Sequence, residues 1–215
     1  MKGLIVFDWD GTIVNEPEFS KKWFSGTLDE VIKKERGEEG FRVLQECRKN
    51  FNGKGELALF ALDIPYREWA KEMIDASLDL IKPQPRLVRQ IRELQVKKVI
   101  FTGTPVKLVI RMVEKIGFTR QDFNLIIGWE EPEWFPIKWN CSPLVFRYIL
   151  NKFQINPQDA WSVGDDWKTD LKPAQVIGMR TAKIGKLGGK PTLCVPSLQE
   201  FLKHIKGGDK DGGDD

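Results

Sequence analysis

Short apolar runs alternate with stretches of helical periodicity along most of this chain, and this alternation limits the fold more than any other feature. The helical stretches include the one after Pro85, where Leu87, Val88, Ile91 and Leu94 recur three or four positions apart. Strands separated by helices form parallel sheets covered on both faces. The sequence therefore predicts an α/β fold with five strands, at residues 3–8, 99–102, 124–128, 160–164 and 180–185.

Residues 15–83 interrupt this pattern. They are rich in Lys, Glu and aromatic residues and contain no comparable β-branched run. Apolar residues such as Trp69 and Met73 recur at helical spacing, and glycines and Pro65 divide the segment. This predicts three or four short helices. The last residues, 207–215, read GGDKDGGDD, a composition typical of disorder.

Composition excludes several classes of function. The chain has 34 basic and 31 acidic residues, which gives a net charge of +3. Neither sign dominates, so we expect no nucleic-acid partner. The three cysteines, Cys47, Cys141 and Cys194, are widely spaced, and no apolar run approaches the length of a membrane span. We therefore expect a cytoplasmic protein without a membrane partner. The single histidine, His204, disfavours catalysis by a histidine base.

Polar residues follow three of the predicted strands. Asp8 and Asp10 come after the first strand, Thr102 and Gly103 end the second, and further acids, Asp165, Asp166 and Asp170, follow the fourth. The carboxyl ends of parallel strands meet at one edge, where ligands bind. Converging carboxylates repel each other unless a cation joins them, and Mg²⁺ prefers such oxygen ligands. Taken alone, the D-x-D-G run is equally typical of a plain turn.

Together these motifs resemble the haloacid dehalogenase-like hydrolase superfamily, in its helical-cap, phosphoglycolate phosphatase-like branch. The resemblance rests on FDWDGT at residues 7–12, a strand-final Thr102, a lysine, and GDDWKTD at residues 164–170. It implies a Rossmann-like catalytic core formed by residues 1–14 and 84–206, with a small helical cap inserted at residues 15–83.

The resemblance also implies a mechanism. Asp8 matches the nucleophile that forms an aspartyl-phosphate, and Asp10 matches the general acid and base. Thr102, Gly103 and Lys138 match the residues that hold the phosphoryl group. Mg²⁺ would be bound by Asp8, Asp165 and the backbone carbonyl of Asp10, with Asp166 and Asp170 supporting these ligands. The substrate would be a small-molecule phosphate ester, of a kind the sequence does not identify; nor does it identify the oligomeric state.

Lys138 departs from the family pattern because Trp139, rather than proline, follows it, so Lys107 and Lys168 remain alternatives.

Other activities also remain open. They are a sugar phosphomutase and a phosphonoacetaldehyde hydrolase-like enzyme that would use Lys21 or Lys22, although Asp10 argues against the second. A non-catalytic phosphate-binding or regulatory protein on the same fold, and an aspartyl-phosphate receiver, are the alternatives outside enzymology.

Overall fold

The computed structural model describes residues 3–51, 55–130, 138 and 142–207. Within them, six parallel strands form a single sheet in the order β3-β2-β1-β4-β5-β6. The predicted α/β class is confirmed, and the sheet places β1 at its centre, between β2 and β4. The strands are β1 (Leu4–Phe7), β2 (Lys97–Pro105), β3 (Leu125–Trp129), β4 (Ala160–Gly164), β5 (Arg180–Ile184) and β6 (Leu193–Val195).

Helices cover both faces of the sheet because side chains alternate along each strand. Ile5 and Phe7 of β1 face one buried cluster, whereas Leu4 and Val6 face the other. The first cluster is filled by α5 (Pro85–Arg92), α6 (Val106–Ile116) and α9 (Leu198–Gly207), and the second by α7 (Leu144–Phe153) and α8 (Lys172–Val176).

The segment between β1 and α5 is helical, as predicted, but its helices are not all short. It contains α1 (Pro17–Phe19), a π-helical stretch (Ser20–Gly26), α2 (Thr27–Asn50), α3 (Leu57–Ala61) and α4 (Tyr66–Ile74). The expected interruption at Gly37 is confirmed, because the backbone there has a non-helical φ of 61° and ψ of −155°, whereas the helix continues through Gly40. Gly37 bends the helix, while buried apolar residues on both sides keep it packed.

Two further expectations differ from the structure. The short strand β6 has no distinctive apolar run and is formed by pairing with β5. Strand β2 continues beyond Thr102 to Pro105, with a shift in its register against β3. Disorder was predicted for residues 207–215; Gly207 is the last residue of α9, and residues 208–215 lie outside the described residues, as does Cys141.

Apolar side chains of residues 15–83 pack against one face of the sheet. Phe19, Leu44 and Met73 belong to the same buried cluster as Phe7 and Ile100 of the central strands. The helical segment therefore shares one buried core with this face of the sheet. The division of the chain into a core and a cap stays a prediction.

In the described part of the chain, no helix combines the length and the apolar character that crossing a bilayer requires.

Two leucines of α7 allow a matched test of this packing. Leu150 is 4% exposed and packs under the sheet, whereas Leu144 of the same helix is 70% exposed. We expect Leu150→Ala to lower the free energy of unfolding by about 2–5 kcal/mol, because it leaves a cavity. Leu144→Ala should change it by less than about 0.5 kcal/mol. Urea unfolding of both variants checks this, and equal losses would contradict the assignment of the buried face.

Candidate active site

The turn after β1 is shaped by backbone hydrogen bonds. The amides of Thr12, Ile13 and Val14 all donate to the carbonyl of Trp9, at 3.4, 3.0 and 2.9 Å. Gly11 has a φ of 83°, which favours glycine, and a Cβ there would lie 2.7 Å from the carboxyl carbon of Asp165. The turn therefore brings the first and the fourth strand ends into contact.

Asp8 lies at the floor of the site and is only 4% exposed. Its Oδ2 accepts a hydrogen bond of 2.9 Å from the hydroxyl of Thr12. Its Oδ1 accepts one from the ammonium of Lys138. Lys138 is itself buried and forms a second ion pair, of 2.9 Å, with Oδ1 of Asp170. The alternatives, Lys107 and Lys168, are exposed.

The acids that follow β4 take different positions. Asp170 is buried, and its carboxylate accepts hydrogen bonds of 2.8 Å from the Thr169 hydroxyl and from the backbone amide of Asp166. The Asp166 side chain caps the π-helical stretch Trp167–Leu171 by accepting from the amides of Lys168 and Thr169. Asp166 therefore shapes the loop with both its side chain and its amide.

Three carboxylates converge around Lys138. Asp8, Asp165 and Asp170 each offer an oxygen, and these oxygens lie within 4.8 Å of one another. Asp170 was expected to support the ligands; its oxygen lies in the same group as those of Asp8 and Asp165, and its role toward an ion stays a prediction. Gly164 permits this approach, because a Cβ there would lie 2.4 Å from Oδ2 of Asp170.

The electrostatics of this cluster are unfavourable for the carboxylates. Burial and the charge of Asp170 raise the pKa of Asp8 well above its ordinary value, and Lys138 offsets only part of this. Asp165 is the exposed member of the three, and partial desolvation together with the charge of Asp170 raises its pKa as well. Burial lowers the pKa of Lys138, but the attraction of Asp170 and Asp8 outweighs it, so the pKa is raised and the lysine stays charged.

The residues present fit a divalent cation. A bound cation would relieve the repulsion that raises the pKa of Asp8 and Asp165, and carboxylate oxygens are the ligands that Mg²⁺ prefers. The donor set contains no thiolate or imidazole, which softer metals would favour.

Asp10 belongs to a different part of the site. Its Oδ2 accepts hydrogen bonds from the hydroxyl of Thr102, at 3.3 Å, and from that of Thr104, at 2.5 Å. Burial raises the pKa of Asp10, while the hydrogen bonds from Thr104 and Thr102 oppose the increase. The carboxyl group of Asp10 is therefore aimed at the end of β2.

The helical segment closes the site from above. The hydroxyl of Tyr66 donates to the carbonyl of Gly103 at 3.0 Å. A cavity of about 270 Å³ separates the acids from this segment, whose contribution to the walls is mostly apolar: Phe24, Glu56, Tyr66, Trp69 and Met73. The cavity is small enough to suit a metabolite-sized ligand.

Sequence reasoning missed two residues of the site. Thr104 stands two positions after Thr102, and this spacing along a strand was a signal that it shares the same side. Tyr66 lies far from the motifs in the sequence, and only the packing of α4 over the sheet brings it to Gly103.

Known proteins resemble this chain over nearly its full length. A family model described as haloacid dehalogenase-like hydrolase matches residues 5–184. A phosphoserine phosphatase of Methanocaldococcus jannaschii is 26% identical, covering 95% of this chain and 98% of its own. A glyceraldehyde 3-phosphate phosphatase of Pyrococcus abyssi is 23% identical, covering 94% of this chain and 93% of its own.

A solved structure shares the fold. The hydrolase YfnB of Bacillus subtilis, described as bound to magnesium, superposes with a TM-score of 0.62 at 15% identity. The superposition covers 96% of this chain and all of YfnB. At this level of identity the likeness concerns the fold alone.

Cation binding can be tested through stability. We expect millimolar Mg²⁺ to stabilise the wild-type protein, by about 2.7 kcal/mol at a hundred times the dissociation constant. The gain should fall as pH drops through the raised pKa values of Asp8 and Asp165, because protonated carboxylates do not bind the ion. Thermal melting with and without Mg²⁺ measures the effect.

Asp165→Asn is the variant for this test, and Asp159→Asn is its control. Asp159 is an exposed acid that precedes β4 on the opposite edge of the sheet. Asp159→Asn should keep the full gain, and Asp165→Asn should lose most of it. An equal gain in both variants would argue against a cation at Asp165.

Proposed function

This chain belongs to the haloacid dehalogenase-like hydrolase family, and we propose that it is a phosphatase that hydrolyses small phosphomonoesters through an aspartyl-phosphate on Asp8. The two curated relatives named above are both phosphatases, which supports the class of reaction. The observation that carries the mechanism is the buried carboxylate of Asp8, held between Lys138 and Thr12 at the floor of the cavity.

In the first step, a carboxylate oxygen of Asp8 forms a bond to phosphorus while the bond from phosphorus to the leaving oxygen breaks. Asp10 gives its proton to that oxygen, so the product leaves as an alcohol. Burial favours the protonated form of Asp10, which suits this role. The charge of Lys138 balances the negative charge around the phosphoryl group.

In the second step, Asp10 acts as a base. Its carboxylate takes a proton from water, and the water oxygen attacks phosphorus as the bond to Asp8 breaks. Inorganic phosphate leaves, and both aspartates return to their initial protonation states. Thr102 and Gly103 lie at the cavity wall and would hold the phosphoryl oxygens.

Magnesium is the cofactor that we propose. Asp8, Asp165 and Asp170 would hold it, together with the backbone carbonyl of Asp10. When bound, it would supply positive charge to a phosphoryl group that carries most of its negative charge on oxygen. Asp166 supports this group by shaping the loop that carries Asp170.

The proposal includes a cytoplasmic location and a small-molecule phosphate ester as substrate. The few, widely separated cysteines support the first. The cavity volume of about 270 Å³ supports the second.

Loss of the nucleophile is the central test. We expect Asp8→Asn to reduce magnesium-dependent release of phosphate from an aryl phosphate by at least about a thousandfold, because the amide does not form the intermediate. Asp159→Asn is the control and should keep wild-type turnover. Wild-type turnover in Asp8→Asn would refute the mechanism, and absence of turnover by the wild-type protein across phosphate esters would refute the function.

Loss of the acid and base should separate the two steps. The phenolate of an aryl phosphate leaves without protonation, so Asp10→Asn should still form the aspartyl-phosphate but hydrolyse it roughly 10²–10⁴-fold more slowly. Rapid-mixing kinetics should then show a burst of phenol close to the enzyme concentration, and mass spectrometry should find the phosphoryl group on Asp8. Steady turnover at the wild-type rate would exclude the role of Asp10.

A further inference from the structure

Tyr66 joins the helical segment to the edge of the sheet. It is the first residue of α4, and only 1% of its surface is exposed. Its ring lies against Trp69 of the same helix, with centroids 5.4 Å apart, and against Trp129 at the end of β3, at 5.1 Å. The side chain is therefore buried between two parts of the molecule that are distant in sequence.

The Tyr66 hydroxyl and the Thr102 hydroxyl hold opposite sides of one peptide group. Tyr66 donates to the carbonyl of Gly103 at 3.0 Å, and the amide of Thr104 donates to Oγ1 of Thr102 at 3.1 Å. This carbonyl and this amide belong to the same planar unit and point in opposite directions. Glycine would otherwise let this unit rotate more easily than any other residue.

The orientation of this peptide group matters because of its neighbours. The hydroxyls of Thr102 and Thr104 both donate to Oδ2 of Asp10. Rotation of the peptide group between Gly103 and Thr104 would move Thr104 and remove the amide that Thr102 accepts from. Asp10 would then lose the hydrogen bonds that fix its carboxylate.

We propose that Tyr66 is a positioning residue, which holds the Gly103–Thr104 peptide group and thereby keeps Thr102 and Thr104 in place against Asp10. The inference rests on the proposed role of Asp10 in acid and base catalysis. It makes catalysis depend on the packing of α4 over the sheet, because Tyr66 comes from that helix.

The other end of α4 is also hydrogen-bonded to a helix that packs on the sheet. The guanidinium of Arg111, in α6, donates to the carbonyls of Ile74 and Ala76. Helix α4 is thus held at both ends, and its first residue has a defined position above Gly103. The hydroxyl stays protonated as a donor, because burial and the charge of Asp10 raise the pKa of Tyr66 well above its ordinary value.

Tyr66→Phe tests the proposal, with Tyr148→Phe as its matched control. The chain has two tyrosines, and Tyr148 is 53% exposed on α7. Phenylalanine keeps the ring contacts with Trp69 and Trp129 and removes only the hydroxyl. We expect Tyr66→Phe to lower kcat roughly tenfold with KM changed less than about twofold, because the loss concerns the chemical step. A residue that only fills space would leave kcat unchanged, and that result would overturn the proposal.

A double-mutant cycle locates the effect. Thr104→Val removes the second hydroxyl that donates to Asp10. We expect adding Tyr66→Phe to this variant to lower kcat by less than about twofold, because both residues act through the same peptide group. Independent, multiplicative losses would show that Tyr66 acts elsewhere and would overturn the proposal.

Hydrogen exchange gives a readout that does not depend on turnover. The Thr104 amide should exchange at least about fivefold faster in Tyr66→Phe than in the wild type or in Tyr148→Phe. Unchanged exchange would refute the positioning role, whereas lack of wild-type turnover with the expected exchange would refute only the proposed function. In the wild-type protein, mild urea should expose the amides of Thr104 and α4 together, and independent opening would also overturn the proposal.

Discussion

The repulsion among the acids at the carboxyl edge of the sheet is the constraint on which the site depends. Asp8, Asp165 and Asp170 lie close enough for their oxygens to share one ion, and Lys138 balances part of their charge. Such a cluster persists only because the packing of the parallel strands beneath it holds the acids together. The repulsion at this edge lowers the stability of the fold, and the two buried apolar clusters below it offset this loss.

That arrangement explains why the site uses two kinds of support. Asp8 accepts from the charged ammonium of Lys138 and from the Thr12 hydroxyl, whereas Asp10 accepts from the neutral hydroxyls of Thr102 and Thr104. A charged partner balances the ionised form of a nucleophile. Neutral donors leave a carboxyl group closer to the balance between its two forms, which fits the proton transfers that we propose for Asp10.

The strands and the acids at their ends could be predicted from the sequence because each depends on residues that are close together in the chain. The positions of five strands along the chain and the edge of the sheet that carries the site therefore followed from periodicity and from the geometry of parallel sheets. Strand β6 could not be predicted from the sequence, because its three residues form no distinctive apolar run and are held in place by pairing with β5. Helix α2 is interrupted at Gly37, as the sequence predicted, but it continues through Gly40, where packing outweighs local propensity.

The sequence by itself determined the α/β class, the parallel sheet and the set of acids and hydroxyls at its edge, because periodicity and chain order specify these directly. Only the tertiary structure decided which of them are in contact. Lys138 contacts Asp8 and Asp170, whereas Lys107 and Lys168 are exposed. The side chain of Asp166 caps the stretch that follows β4. The tertiary structure also brought Tyr66 to Gly103. Contacts between residues far apart in the chain depend on how helices pack on the sheet, and no local pattern encodes that packing.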